Sequence, residues 1–157
     1  MIVVADTSPL LALGKVGQTE ILRQLFGHVI IPPAVRAEMV RCMPQLPEWV
    51  RVEPVKNAEG ARRMAQWVDW GEAEAIELAK ELGADRLLID ERKGRKLAMV
   101  EGVQVIGVLG VLLLAKKKEL LPSLREPLEK LKKEAGFYLA ETLVAEVLKA
   151  SGEIEER

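Results

Sequence analysis

Three uninterrupted apolar runs stand out along the chain: Ile2-Val3-Val4-Ala5, Val29-Ile30-Ile31 and Leu87-Leu88-Ile89. Runs rich in β-branched residues, with no polar alternation, are the pattern of strands buried on both faces. Val103–Ile106 and the weaker Trp49–Val52 add two more candidates, which makes four to five strands. Between them the apolar spacing changes to that of helices. It predicts helices over Leu10–Leu13, Ile21–Leu25, Asn57–Val68, Gly71–Leu82, Arg92–Val100 and Val108–Lys117. A helix opening at Pro33 places Val35, Met39 and Cys42 on one side, before Pro44 and Pro47 break it. Leu120–Lys133 and Leu139–Ala150 give two further helices after the last strand. Strands separated by helices predict an α/β fold with a doubly wound, mainly parallel sheet and extra C-terminal helices. The expected organisation is one domain over residues 1–150 and a polar, flexible tail over 151–157.

Two of the buried strands end in an acid. Asp6 follows the first, ahead of Thr7-Ser8-Pro9, and Asp90 follows Leu87–Ile89. Each has a plain structural use as a helix cap. Each also lies at the carboxyl edge of the sheet, where ligands of open α/β folds bind. Glu38 sits three residues beyond Val35 and flanks that helix's apolar stripe. At about 100° per residue, Glu72 aligns with Ile76 and Ala79, whereas Glu74, Glu77 and Glu81 fall opposite and are expected to be solvated. A buried Glu72 needs compensation, because desolvating a charge costs several kcal/mol on the order-of-magnitude scale. Four acids at one edge repel each other, and a divalent cation relieves the conflict. Oxygen ligands without Cys or His favour Mg²⁺ or Mn²⁺ over zinc. Such an ion is suited to activating water against a phosphodiester.

Composition narrows the alternatives. The 157 residues carry a net charge of -1, so any nucleic-acid contact must be local rather than a global basic field. Arg92, Lys93, Arg95 and Lys96 form one such local group, and a solvated helix face is its simpler explanation. Aromatic residues make up 4%, which argues against a dedicated base-stacking platform. Trp49, Trp67 and Trp70 fit core or partner packing better than stacking. His28 reads as structural or exposed rather than as a base. A single cysteine, Cys42, excludes a disulfide framework and a cysteine zinc site. With no basic leader and no apolar run long enough to cross a bilayer, the expectation is a cytoplasmic protein. Phosphoryl transfer through Asp6 is disfavoured, since Ser8 stands where such chemistry wants a second acid.

Asp6-Thr-Ser after a first strand, Glu38 in Pro-Pro-Ala-Val-Arg-Ala-Glu, Glu72 in Gly-Glu-Ala-Glu-Ala-Ile-Glu-Leu-Ala and Asp90 in Leu-Leu-Ile-Asp resemble the ordered acidic motifs of PIN domains. The likeness covers roughly residues 1–115. The remainder, with Leu109-Gly-Val-Leu and Ala135-Gly-Phe-Tyr, is similar to PIN-like proteins described as predicted nucleic-acid-binding proteins, some resembling toxins of toxin–antitoxin pairs.

The resemblance implies a metal-dependent endoribonuclease acting on RNA, with Asp6, Glu38, Glu72 and Asp90 as metal ligands. It implies Mg²⁺ or Mn²⁺, one ion or two, with Thr7 or Ser8 supporting the first acid. It further implies a homodimer and, for a toxin, a cognate antitoxin protein. Two departures stand out: Glu72 where many PIN domains have Asp, and Glu91 followed by basic residues where a further acid often lies. They leave open a PIN-like module that binds nucleic acid or a partner without turnover.

Overall fold

The computed structural model describes residues 1–136 and 141–153. Its centre is a five-stranded, all-parallel sheet in the order β3-β2-β1-β4-β5. The strands are β1 (Val3–Ala5), β2 (Val29–Ile31), β3 (Val50–Val52), β4 (Arg86–Leu88) and β5 (Val105–Ile106). In β1 and β2 every residue is buried, so helices cover both faces there, as the unbroken apolar runs predict. In β3 only Val50 is buried, which fits its place at the edge of the sheet.

The chain moves from β1 outward to β2 and β3, then returns past β1 to β4 and continues to β5. The winding direction therefore reverses between β1 and β4. A crevice opens at such a switch point, beyond the carboxyl ends of the strands. Ala5 pairs with Leu88 in register, and the Asp6 amide donates to the Leu88 carbonyl at 2.9 Å. Asp6 and the segment leading to Asp90 thus leave the sheet side by side.

The connections are α1 (Thr7–Lys15) and α2 (Glu20–Phe26) before β2, and α3 (Pro33–Met39) before β3. Next come α4 (Ala58–Met64) and α5 (Trp70–Leu82) before β4, and α6 (Arg92–Val100) before β5. Three helices close the fold: α7 (Val108–Lys117), α8 (Arg125–Lys133) and α9 (Glu141–Ala150). α1 is longer than its apolar pattern predicts and runs through Gly14. α3 stops at Met39, so Cys42 is exposed rather than on the buried side with Val35 and Met39. α8 starts after Pro122 rather than at Leu120. Leu124, Leu128, Leu131, Val147 and Leu148 join the core, which extends it beyond β5.

The solvated face expected on α5 is not there. Glu77 is buried, and Glu74 and Glu81 are half-buried. The cause is that α3 and α4 both pack on α5 while α5 also covers β1, so its buried sector is wider than one stripe. The two half-buried glutamates serve neighbouring helices. Glu74 accepts the Ala34 amide at 3.0 Å, and Glu81 accepts the Lys56 and Asn57 amides at 2.7 and 3.0 Å. Both therefore meet donors around the starts of α3 and α4, where negative charge is favoured. Gly60 lets α4 approach, since a Cβ there would lie 2.5 Å from Glu77 Oε1.

Of the segment expected to be a free tail, Ser151 to Glu153 is tied down. The Glu153 carboxylate accepts the Leu124 amide at 2.9 Å and the Ser151 hydroxyl at 2.9 Å, and it also accepts the Ser123 hydroxyl. These bonds hold its carboxyl below the usual range despite partial burial. Residues 154–157 lie outside the described residues, as do Phe137 and Tyr138 of the C-terminal resemblance and Leu139 at the start of the last expected helix.

Candidate active site

Asp6 is the residue on which the site is built. It occupies the cap position of α1 with extended backbone, yet its side chain makes no capping hydrogen bond to that helix's first turn. It is 3% exposed. Burial raises its pKa to about 7 against the favourable pull of the Thr7 amide, and the negative charges of Asp69, Glu38 and Asp90 raise it further. Three acids from three other segments therefore act on one buried carboxyl group.

Glu72 enters from α5. Its place in the first turn puts it where the helix dipole favours a carboxylate. It is nevertheless raised to about 8, first by burial, then by a hydrogen bond shared with Asp69, and then by the charges of Asp69, Asp6 and Glu91. The side-chain charges acting most on Asp6 and Glu72 are all negative.

Glu38 reaches the site from α3, where its side chain is exposed and accepts the Thr7 hydroxyl at 2.6 Å. The Thr7 hydroxyl therefore goes to Glu38, crossing from α1 to α3, while its amide acts on Asp6. Ser8 is exposed and lines a separate hollow with Leu11, Ala12 and Lys15. Asp90 caps a helix other than the one that follows it: its Oδ1 and Oδ2 accept the Val108 amide of α7 at 3.2 and 3.3 Å. Burial raises its pKa, opposed by that amide and by Arg95. The structure thus brings Glu38, Glu72 and Asp90 each within electrostatic reach of Asp6.

Asp69 and Glu91 add to the charge on this group; Glu91 stands where the resemblance expects a further acid, and Asp69 has no part in that resemblance. Asp69 caps α5, its Oδ1 accepting the Glu72 amide at 2.8 Å. The spacing Asp-x-x-Glu ahead of an apolar helix is a capping-box signature and carries the signal that would have found it. Glu91 caps α6 through the Lys93 amide at 3.3 Å.

Glycines make room for these carboxylates. A Cβ on Gly71 would collide with the Glu38 carboxylate. One on Gly94 would lie 2.7 Å from Ile89 Cδ1 and 3.1 Å from Glu72 Oε2, and one on Gly107 would lie 2.5 Å from Asp90 Oδ1. Gly71→Ala separates fold from site. The group it meets is the end of an exposed side chain, and alanine in a helix gains up to about 1 kcal/mol over glycine. Thermal melts should therefore show little loss or a small gain, while divalent-cation affinity falls about tenfold as Glu38 is displaced. Unchanged cation affinity would mean that Glu38 has no part in the site.

Among the described residues, no three or more His, Cys, Asp or Glu side chains are arranged to hold a metal ion. The hydrogen bonds give the reason. Glu38 is anchored on Thr7, Asp69 on the Glu72 amide and Asp90 on the Val108 amide. The acids ring the crevice without meeting at one point. The donor chemistry itself fits a hard divalent cation: all oxygen, crowded, half desolvated and short of positive charge.

Among the basic residues, Arg95 turns inward and donates to the Ile89 carbonyl at 3.0 Å. Arg92, Lys93 and Lys96 are exposed. Trp67 and Trp70 lie on the surface, 57% and 45% exposed, contrary to a core role, while Trp49 packs partly buried against the core. His28 is half-buried and beside β2, away from the acids' segments.

A doubly wound parallel sheet with acids gathered at its switch point defines a class of α/β protein with a polar, anionic crevice. A family model described as a PIN domain matches residues 2–153, nearly the whole chain, and the protein belongs to the PIN-domain family. PIN domains are typically nucleases and usually use divalent metal ions. No curated protein and no solved structure matches the chain significantly. Among the described residues, no helix is long and apolar enough to cross a membrane.

Proposed function

We propose that this PIN-domain protein is an Mg²⁺- or Mn²⁺-dependent endoribonuclease that hydrolyses RNA phosphodiester bonds. The observation that carries the reading is the pair of buried acids Asp6 and Glu72, set among further carboxylates that repel them, at the β1/β4 switch point. Isolated capping acids would be satisfied by their helices. Asp6 makes no side-chain capping bond, and burial and like charge raise its pKa to about 7 despite the pull of the Thr7 amide. Leaving such a carboxyl ionised costs stability unless a cation offsets it.

Asp6, Glu38, Glu72 and Asp90 are the residues that would hold the ion, with Asp69 and Glu91 adding negative charge. When bound, a divalent cation there supplies positive charge that lowers the pKa of water and stabilises the charge that builds on the phosphodiester. The chain's own contribution is positional. Thr7 fixes Glu38 through its hydroxyl, and the Val108 amide fixes Asp90. Glu72, raised to about 8 first by burial and then by its hydrogen bond with Asp69, gives the metal-free site a group able to take up or release a proton. No side chain here is needed as a covalent nucleophile, and the expected products are a 5′-phosphate and a 3′-hydroxyl.

The finer biological setting follows from the same family reading. We place the protein in the cytoplasm, as a homodimer, and as the toxin of a toxin–antitoxin pair with a cognate antitoxin partner. The decisive experiment is incubation of single-stranded RNA with the protein, with and without Mg²⁺ or Mn²⁺. Cleavage that appears with metal and stops with chelator supports the enzyme. Metal binding without cleavage supports the second reading, a PIN-like binding module, which the Glu91-Arg92-Lys93 departure favours.

A further inference from the structure

We propose that the groove between α4 and α6 is the cradle for single-stranded RNA beside the scissile bond, a deepening that rests on the ribonuclease reading. In this arrangement one base stacks on Trp67, and Lys93 and Lys96 hold phosphates. The groove has a volume of about 510 Å³ and is lined by Arg63, Trp67, Lys93, Lys96, Leu97 and Val100. That size falls in the range of pockets that take small ligands.

Its position is set by α6. Gly94 in the first turn of that helix faces the Glu72 carboxylate, so that turn, which also carries Lys93 of the groove, stands beside the acid cluster. Lys93, Lys96, Leu97 and Val100 follow the i, i+3, i+4, i+7 spacing of one helix face. They carry the groove about 10 Å away from the site.

Its chemistry has two parts. The floor is aliphatic and aromatic: Trp67, 57% exposed, and Val100, 79% exposed, lie with Leu97 in one apolar patch rather than scattered singly. The rim is cationic. Arg63 is spoken for by Glu101 at 2.6 Å, which Lys80 also meets at 3.0 Å. Lys93 and Lys96 make no ion pair among the described residues. An acidic crevice repels a polyanion, so phosphates approaching it need cations close by, and these two lysines stand next to it. An indole beside paired cations matches the stacking and phosphate contacts of a single strand.

The test uses a fluorescently labelled single-stranded RNA 12-mer and the Asp6→Asn protein, which prevents cleavage during titration. On that background Trp67→Ala is expected to weaken binding about tenfold, and Trp67→Phe to preserve most of it. The Lys93→Ala/Lys96→Ala double variant is expected to weaken binding and to lower the salt slope by about 1.4, the value for two phosphates on a single strand. Circular dichroism melts check that each variant folds. Unchanged affinity in both groove variants overturns the proposal. So does a change in sedimentation with Trp67→Ala that leaves RNA binding intact, since the groove would then be an interface between copies. Metal-dependent cleavage by the otherwise native protein is measured separately. Cleavage with groove variants that bind normally sinks the groove and leaves the nuclease; groove-dependent binding without cleavage does the reverse.

Discussion

Replacing Asp6 by Asn should abolish metal-dependent RNA cleavage, by at least about 100-fold, and should raise the melting temperature of the metal-free protein at pH 8. The first effect follows from removing a charged ligand from a cation whose charge stabilisation is worth several kcal/mol, on the order of two or more decades in rate. The second follows from burial. Asp6 is 3% exposed and its carboxyl is raised to about 7, so ionising it in the folded protein costs up to about 4 kcal/mol. Asparagine fills the same space and never ionises. For a domain of this size, one kcal/mol corresponds to about 2–4 °C, so a gain of several degrees is expected. Adding Mg²⁺ or Mn²⁺ should then stabilise the unsubstituted protein and not the variant. The two readouts have opposite signs, which separates loss of function from loss of fold. Full cleavage by Asp6→Asn would remove Asp6 from the chemistry.

The metal-free protein should lose stability as pH rises from about 5 to 8 and recover it on adding a divalent cation. The sign follows from linkage. Asp6 moves from 3.8 to about 7 and Glu72 from 4.5 to about 8 on folding. Between those values the folded state keeps protons that the unfolded state has released. Stability then falls with pH across this window, and below pH 4 the penalty is absent because both states are protonated. Glu101 and Glu153 act the other way. Arg63 and Lys80 lower Glu101, and hydrogen bonds to Ser123, Leu124 and Ser151 lower Glu153. Their stabilisation is lost on acidification, below the ordinary glutamate range. The metal-free optimum should therefore fall near pH 5, roughly where the two trends cross. Calorimetry in chelator from pH 4 to 9 measures the curve, and the same series with saturating Mg²⁺ or Mn²⁺ should flatten its alkaline limb. A flat metal-free profile between pH 5 and 8 would show that the carboxylates do not share a desolvated field. A metal series identical to the chelator series would remove the cation from the site.

The site's members were unequally visible in the chain. Asp6 and Asp90 were legible because a buried strand that ends in an acid is a strong local signal. Glu72 was legible from helical phase. The same phase argument failed for Glu77, because it assumes one packing partner per helix and α5 has several neighbours. Asp69 is legible only as a cap, through its spacing to Glu72. Its place beside Asp6 depends on the return of the chain past β1, which no local pattern encodes. Asp90 carried the right suspicion of a cap and the wrong helix, since Val108 is eighteen residues away.

By itself the sequence determined the strands, most of the helices and the order of the acids. These follow from short-range physics: apolar periodicity, proline and glycine punctuation, and the preference of buried β-branched residues for strands. Only the tertiary structure decided which acids share a field and which merely cap a helix. It assigned Thr7 to Glu38 and turned Arg95 inward, and it left Trp67 exposed beside two lysines. Those outcomes depend on which segments the 3-2-1-4-5 strand order brings together. Desolvation and Coulomb forces act through space, so a carboxylate's charge state is set by neighbours that are distant in sequence.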